Sequence, residues 1–363
     1  MLRALLPVVL VEAVPLAVFM FLPTLRREKA FFGVRIGPDV YRTEGRRIMR
    51  RYRLRLTACF VGITAVGSLL GVNTGKDIYF ALATIQLAAA GMVLMTVSYR
   101  EARMFRVSEA QTRFASSLAT RKLGDYTTLP LEAVLTVAVA VPALALVYYY
   151  NVLPEMIPLR WDLQNNPVRW APKNLISVFF LPALSLYIQA IFILLKKDMV
   201  GAKMMLPAAQ ADTFLVFKEH LHRTCMATMD AFRLFTALLF GTLSLNIIFT
   251  TLDQWRFMRH AVAVILIAGL CGALVGGVYS VYRVFRISNS LEKITGNFYV
   301  QRPGDESRWY GGRFYYNPDD PALLIEKLDG LGYTFNFANP RALVYLILVF
   351  GMILLCLCFG AST

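Results

Sequence analysis

The chain has 363 residues, 57% of them hydrophobic and only 17% charged, with a mean hydropathy of +0.54. A soluble domain carries roughly 45–50% apolar and about 25% charged residues, so an ordinary water-soluble globule is excluded and a polytopic membrane protein is expected. The formal charge of +15 would suit a nucleic-acid binder, but it follows the loops between apolar runs, and that placement argues against one.

About 20 apolar residues span a bilayer, and eight such runs lie near 2–23, 55–72, 78–98, 131–150, 174–195, 233–252, 261–282 and 342–360. The first lacks a small-residue cleavage site and is followed, not preceded, by Arg26, Arg27 and Lys29, so it is expected to stay attached as a span. Lys and Arg crowd alternate loops: ten in 24–53, six in 99–130, five in 196–230 and eight in 283–341, against seven on the other side. The positive-inside rule then puts those loops in the cytoplasm and both termini outside.

Glu12 falls inside the first run, between Pro7 and Pro15. A carboxyl at that depth is costly and marks a candidate functional group, with Gln86, Gln189 and Asn246 as prospective partners. A protonated glutamate bridging two helices is the plainer account. The first inner loop carries Arg46, Arg47, Arg50, Arg51 and Arg53, either a patch for anionic lipid or an acidic partner, or simply a topogenic cluster.

Residues 99–122 read as a cytoplasmic continuation of the third helix, with Met104, Val107, Phe114 and Leu118 near helical spacing. With 203–230 they would form a helical collar. Gly67 and Gly71, and Gly272 and Gly276, are small-x-x-x-small pairs at which helix backbones are expected to approach.

Between the fourth and fifth runs lies LPEMIPLRWDLQNNPVRWAPK, residues 153–173, with prolines at 154, 158, 167 and 172 and tryptophans at 161 and 170. Proline cannot continue a helix, and Asn165-Asn166-Pro167 is a turn signal, so a small rigid extracytoplasmic loop is expected. Its candidate recognition residues are Ile157, Pro158, Arg160, Trp161, Asp162, Asn165, Pro167 and Trp170.

Between the last two runs, Tyr333, Phe335 and Phe337 alternate with Thr334 and Asn336 at strand periodicity. Turns are expected at Asn317-Pro318-Asp319-Asp320-Pro321 and at Asp329-Gly330. Two or three short strands here would need helix ends to pack against. The element could dock a cytoplasmic protein through Trp309, Tyr310, Tyr315, Asn317, Asp319, Asp320 and Asn336, or merely tie the last spans together.

Metal and catalytic chemistry find little support. His220 and His222 face different sides of a helix, and no HExxH motif or paired CxxC accompanies Cys225. The cysteines at 59, 225, 271, 356 and 358 suggest no structural disulfide. No nucleophile elbow, phosphate loop or dinucleotide fingerprint is present, so no enzyme, cofactor or metal is expected.

Three patches carry a family resemblance. IPLRWDLQNNPVRW resembles the signature of the membrane-protein domain of unknown function 1648, with Arg160, Asp162 and Asn165 standing where that signature has His, Asn and Gly. FFGVRIGPDVYRTEGRRIMRRYRLR resembles the first inner loop of the same proteins. WYGGRFYYNPDDPALLIEKLDGLGYTFNFANP is similar to the domain of unknown function 5808, often found at their C-terminal end. The resemblance implies a bacterial cytoplasmic-membrane protein related to SdpI-like immunity proteins, which guard against a secreted peptide and can hold a repressor at the membrane. An Arg in place of His changes charge and geometry, so the loop cannot perform an imidazole task in the same way.

The expected fold is an all-α polytopic membrane protein with eight transmembrane helices and a small cytoplasmic β-hairpin or meander between helices seven and eight. Its parts are four spans in 1–150, the outer loop in 151–173, three spans and a helical loop in 174–306, the β-element in 307–341 and the last span in 342–363. The leading expectation is a non-enzymatic envelope protein of immunity, sensing or signalling. Its partners would be the lipid bilayer, a secreted peptide or lipid outside and a cytoplasmic regulator, but no nucleic acid. A small-solute or proton-coupled carrier using Glu12 and a purely structural membrane protein are the alternatives.

Overall fold

A computed structural model of the chain describes residues 12–13, 16–21, 23, 31–32, 34, 36–74, 78–106, 114–116, 121–162, 165–202, 205–207, 211–295, 308–327 and 332–362. It is mainly helical. The long helices are α1 (Arg46–Thr74), α2 (Ile78–Arg103), α3 (Leu129–Tyr149), α4 (Leu175–Val200), α5 (Ala211–Thr251), α6 (Arg259–Thr295) and α7 (Pro340–Ser362). Five described helices are long and apolar enough to cross a membrane, over Pro38–Thr74, Leu82–Arg103, Leu129–Tyr149, Leu175–Val200 and Asp212–Thr251, and Pro340–Cys356 is a shorter apolar stretch. The expected first span falls mostly on residues outside the described set, as do Val107, Leu118 and the Asp329-Gly330 turn, while the expected seventh and eighth spans lie in α6 and α7.

Helix α3 shows why these segments suit lipid. Its exposed stripe is Val134, Val137, Val141, Leu144 and Tyr148, while Leu135, Val139, Pro142 and Leu146 are buried. Both faces are apolar, as they must be when the solvent on one side is hydrocarbon. With no hydrophobic drive between helices in lipid, close packing holds the bundle together. A Cβ on Gly67 would stand 2.6 Å from Ala83 Cβ, so α1 and α2 pack there as expected; Gly272 and Gly276 have nothing within 4 Å. The tight contact of α5 is instead Gly241, whose added Cβ would lie 2.9 Å from the Ala138 carbonyl of α3.

Helix α5 is the hub. It has 41 residues and packs on α3, α4 and α6, joined to α6 by a short 3-10 turn, Asp253–Met258. At 1.5 Å per residue it runs about 60 Å, roughly twice the hydrocarbon thickness of a bilayer. Helix α4 starts on an asparagine box: Asn174 Oδ1 accepts from Ser177 N at 2.8 Å, and Asn174 N donates to Ser177 Oγ at 3.0 Å.

One sequence expectation needs correction, and another gains its detailed form. Residues 99–122 do not continue as a helix: α2 stops at Arg103, and strand β1 (Phe114–Ser116) pairs antiparallel with β4 (Met205–Pro207). The helix is closed by turn bonds from Phe105 N to Ala102 O and Arg106 N to Arg103 O, and Arg106 then bridges to Ile36. The small rigid loop expected over 153–173 takes the form of a two-stranded hairpin, β2 (Met156–Trp161) and β3 (Pro167–Pro172). A two-stranded ribbon has two edges, so prolines fit wherever an N–H would point away from the partner strand. The register shifts on either side of Arg160 add the irregularity that tolerates them.

Between α6 and α7 the chain forms two hairpins, β5 (Trp309–Tyr310) with β6 (Phe314–Tyr315) and β7 (Leu324–Glu326) with β8 (Tyr333–Phe335), linked by a parallel bridge from Tyr315 to Asn336. Trp309, Tyr315 and Ile325 make its small core, and Leu323 and Leu324 join Met199, Met226 and Tyr345 in a second. The element therefore packs on helix ends.

Candidate functional site

Three polar clusters are strung along α5. At its C-terminal end it meets the β2–β3 hairpin. Asn165 and Asn246 exchange reciprocal amide bonds, Asn165 Nδ2 donating to Asn246 Oδ1 at 3.0 Å and Asn246 Nδ2 to Asn165 Oδ1 at 2.7 Å, and both residues are buried. One turn further, Trp161 Nε1 donates to Thr250 Oγ1 at 3.4 Å. Ile157 is fully buried against Leu146, Val178 and Ile247. Asp162 closes the turn, accepting from Asn166 N at 2.7 Å and Asn166 Nδ2 at 3.0 Å.

The expected recognition residues therefore divide by role. Ile157, Pro158, Asp162 and Asn165 build the hairpin, and Trp161 is half-buried on α5. Arg160 is exposed opposite half-buried Arg169, and Trp170, beside Pro158 in the register, is exposed. Pro167 opens β3.

The middle cluster is ionic. Arg233 of α5 grips Glu132 of α3 with two bonds, Nη1 to Oε1 at 2.6 Å and Nη2 to Oε2 at 2.8 Å. Its Nη1 also reaches Asp230 at 3.1 Å, and Lys196 of α4 donates to both Asp230 oxygens at 2.7 and 2.8 Å. Gln189 completes the set, donating to the Arg233 carbonyl at 2.9 Å and accepting from Arg233 Nε at 3.3 Å. Lys196, Asp230 and Arg233 are buried. Two cations and two carboxylates cancel, so the quartet sits in a low-dielectric bundle without net charge. It pins three helices at one level.

At its N-terminal end α5 meets the β-element. Buried His222 lies between two tyrosines, its Nδ1 3.1 Å from Tyr333 Oη and its ring edge-on to Tyr126. Lys218 pairs with Glu326 of β7. Tyr126 Oη donates to both oxygens of Glu219 at 2.9 and 3.1 Å; burial, then the Glu219 bond and charge, push its pKa up to about 12. Burial likewise raises Tyr333, so both phenols stay neutral donors at any physiological pH.

Within the β-element, Asn336 is fully buried and fully used. Its Nδ2 donates to the carbonyls of Asn317 and Asp320, and its Oδ1 accepts from Asn317 N and Ala338 N. Asp320 accepts from Ala322 N and Tyr315 Oη, while Asp319 pairs with Arg308 in the open. Tyr310 is exposed, whereas Trp309 and Tyr315 are core. The glycines between β5 and β6 have φ of +62° and +69°; a Cβ on Gly311 would meet Thr96 at 2.7 Å, and one on Gly312 would meet Tyr99 at 2.5 Å. Their bare backbone is what lets the turn lie against α2.

Glu12 is buried and accepts from Thr64 of α1; of the partners expected for it, Gln189 serves Arg233 and Asn246 serves Asn165. Sequence reasoning missed the ion quartet, having assigned Arg233 to a span end and Lys196 and Asp230 to a loop. A signal was available: Asp230 and Arg233 are three apart, and Gln189 and Lys196 seven apart, so each pair shares a helical face.

Comparison with known families matches two stretches of the chain, each containing one of the hairpin elements. The model described as "Domain of unknown function (DUF1648)" matches residues 137–186, from mid-α3 through the hairpin into α4. The model described as "Family of unknown function (DUF5808)" matches residues 318–343, covering β7, β8 and the start of α7. Both are the resemblances read from the sequence. No curated protein and no solved structure matches the chain.

Proposed function

We propose that this chain, with its DUF1648 and DUF5808 segments, is a non-enzymatic multi-pass protein of the bacterial cytoplasmic membrane that passes a signal across the bilayer, as an immunity, sensing or signalling protein would. In this reading eight helices cross the membrane, both termini lie outside, the β2–β3 hairpin meets a peptide or lipid and the β5–β8 element meets a cytoplasmic regulator.

The observation that carries it is that one helix holds both elements. Asn246 of α5 is bonded to the hairpin, and His222 and Lys218 of the same helix are bonded to the β-element. Asn246 and His222 are about 36 Å apart along the axis, somewhat more than the hydrocarbon core. A rotation or tilt of α5 selected by the hairpin would be felt at Tyr333, and the ion quartet between them offers a discrete arrangement to keep or break.

The test needs no ligand. Asn246→Ala strands the buried Asn165 amide, at about 1–3 kcal/mol, and should speed amide hydrogen exchange across 156–172. Transmission requires that exchange at Tyr333–Phe335 change as well. An effect confined to the hairpin would overturn the reading.

Topology is tested separately. Val168→Cys should react with an impermeant thiol reagent in intact cells, and Asp319→Cys should react only after permeabilisation. The reverse pattern would exchange the two faces.

The carrier alternative rests on Glu12, whose carboxyl is buried with one oxygen unbonded among the described residues. It requires Glu12→Gln to abolish flux in proteoliposomes.

A further inference from the structure

Beside the His222 contact, the N-terminal part of α5 and the C-terminal part of α6 enclose a groove of about 790 Å³. From α6 it is lined by Tyr279, Tyr282, Arg283, Arg286 and Ser290, and from α5 by His220 and Arg223. Tyr279, Arg283, Arg286 and Ser290 are spaced four, three and four apart, which places them on one helical face.

The groove is electrically unbalanced. Its one carboxylate, Glu219, is already taken by Tyr126 Oη and by Arg223 Nε at 3.0 Å. Arg283 and Arg286 have no carboxylate in ion-pair reach among the described residues. The Ser290 hydroxyl is spent on the Arg286 carbonyl at 2.9 Å; the guanidiniums of Arg283 and Arg286 and two phenols thus face one open space, a donor set that suits a phosphate and offers little to a cation.

Depth identifies the source of that phosphate. If the apolar part of α5 from about residue 233 onward lies in hydrocarbon, its antiparallel partner α6 leaves hydrocarbon near residue 278. Val275 and Val278 are exposed just before this point, Tyr279 and Tyr282 follow, and the arginines come one turn later. Apolar, aromatic and cationic layers in that order mirror the acyl, carbonyl and phosphate layers of a lipid leaflet. We propose that the α5–α6 groove holds the phosphate of an anionic phospholipid, with its acyl chains along Val275 and Val278. This rests on α5 and α6 crossing the bilayer, not on which side they emerge or on transmission through α5.

The full-length protein, purified in detergent with mixed phosphatidylglycerol and phosphatidylcholine, is examined by native mass spectrometry for retained lipid. The wild type should keep phosphatidylglycerol in preference. Arg283→Gln with Arg286→Gln should cut that preference about tenfold, whereas lysine at both positions should largely preserve it. Arg308→Gln, a cation of the β-element outside both this groove and the Arg46–Arg53 cluster, should leave it unchanged. If the glutamine pair does not fold, Arg286→Gln alone, at an exposed position, should lower the preference severalfold. Undiminished preference in the glutamine variants overturns the proposal. Displacement of the lipid by excess inorganic phosphate assigns the groove to a soluble phosphate and overturns the lipid assignment.

Discussion

Arg233→Leu should cost the protein about 3–5 kcal/mol, because it leaves Glu132 and Asp230 short of a cation inside the bundle. Against a total stability of roughly 5–15 kcal/mol this is a large share of the margin, and the variant should lose its monodisperse elution in mild detergent. Glu132→Gln removes the other half of the two-bond grip, and the double change should cost clearly less than the sum of the two single ones, since both break one interaction. Replacing all four charged residues by apolar ones of similar volume should restore stability, because a paired network is no better than a well-packed apolar core. If that quadruple variant folds but no longer couples the hairpin to the β-element, the quartet acts in selecting conformation. If coupling survives, it is a pin and nothing more.

The second large effect lies in the turn between β5 and β6. Gly312→Val places a β-branched residue at φ +69° and drives its Cβ into Tyr99 of α2. The left-handed backbone alone costs about 1–2 kcal/mol for a side chain, and the collision adds to it. The β-element should detach from α2 while the helices persist. Trypsin should then cut rapidly at Arg308, Arg313 or Lys327, with little change in far-ultraviolet circular dichroism. Gly312→Ala should show the same change more weakly. Cleavage no faster than in the wild type would mean that the turn does not dock on α2.

The periodicity of the sequence revealed the long apolar helices and the two non-helical elements between them because each has a local cause. Apolar runs of span length, the Tyr333-Thr334-Phe335 alternation and the proline-rich break are written within a few residues of one another. What stayed hidden depended on distant partners. Nothing near Asn246 says that its amide meets Asn165, or near Arg233 that Glu132 is its counter-ion. Counting charges by loop gave them a topogenic meaning and obscured their pairing. The strand pairing inside the rigid loop stayed hidden because proline announces the end of a helix without saying which edge its neighbours pair with. Residues 99–122 kept a helical pattern of apolar side chains, yet a strand forms at 114–116 because β4 supplies a pairing edge.

Asn165 bears two demands that few side chains satisfy together. Its φ of +60° favours glycine, and its reciprocal bonds with Asn246 require a primary amide. Glycine would accept the backbone and forfeit the amide, while glutamine would keep the amide, displaced by a methylene, and resist the backbone. A selection that varied the hairpin for new ligands would therefore leave this residue untouched and accumulate its changes at Arg160, Val168 and Trp170. If the hairpin binds a ligand, its exposed face can vary without disturbing the joint that fastens it to α5.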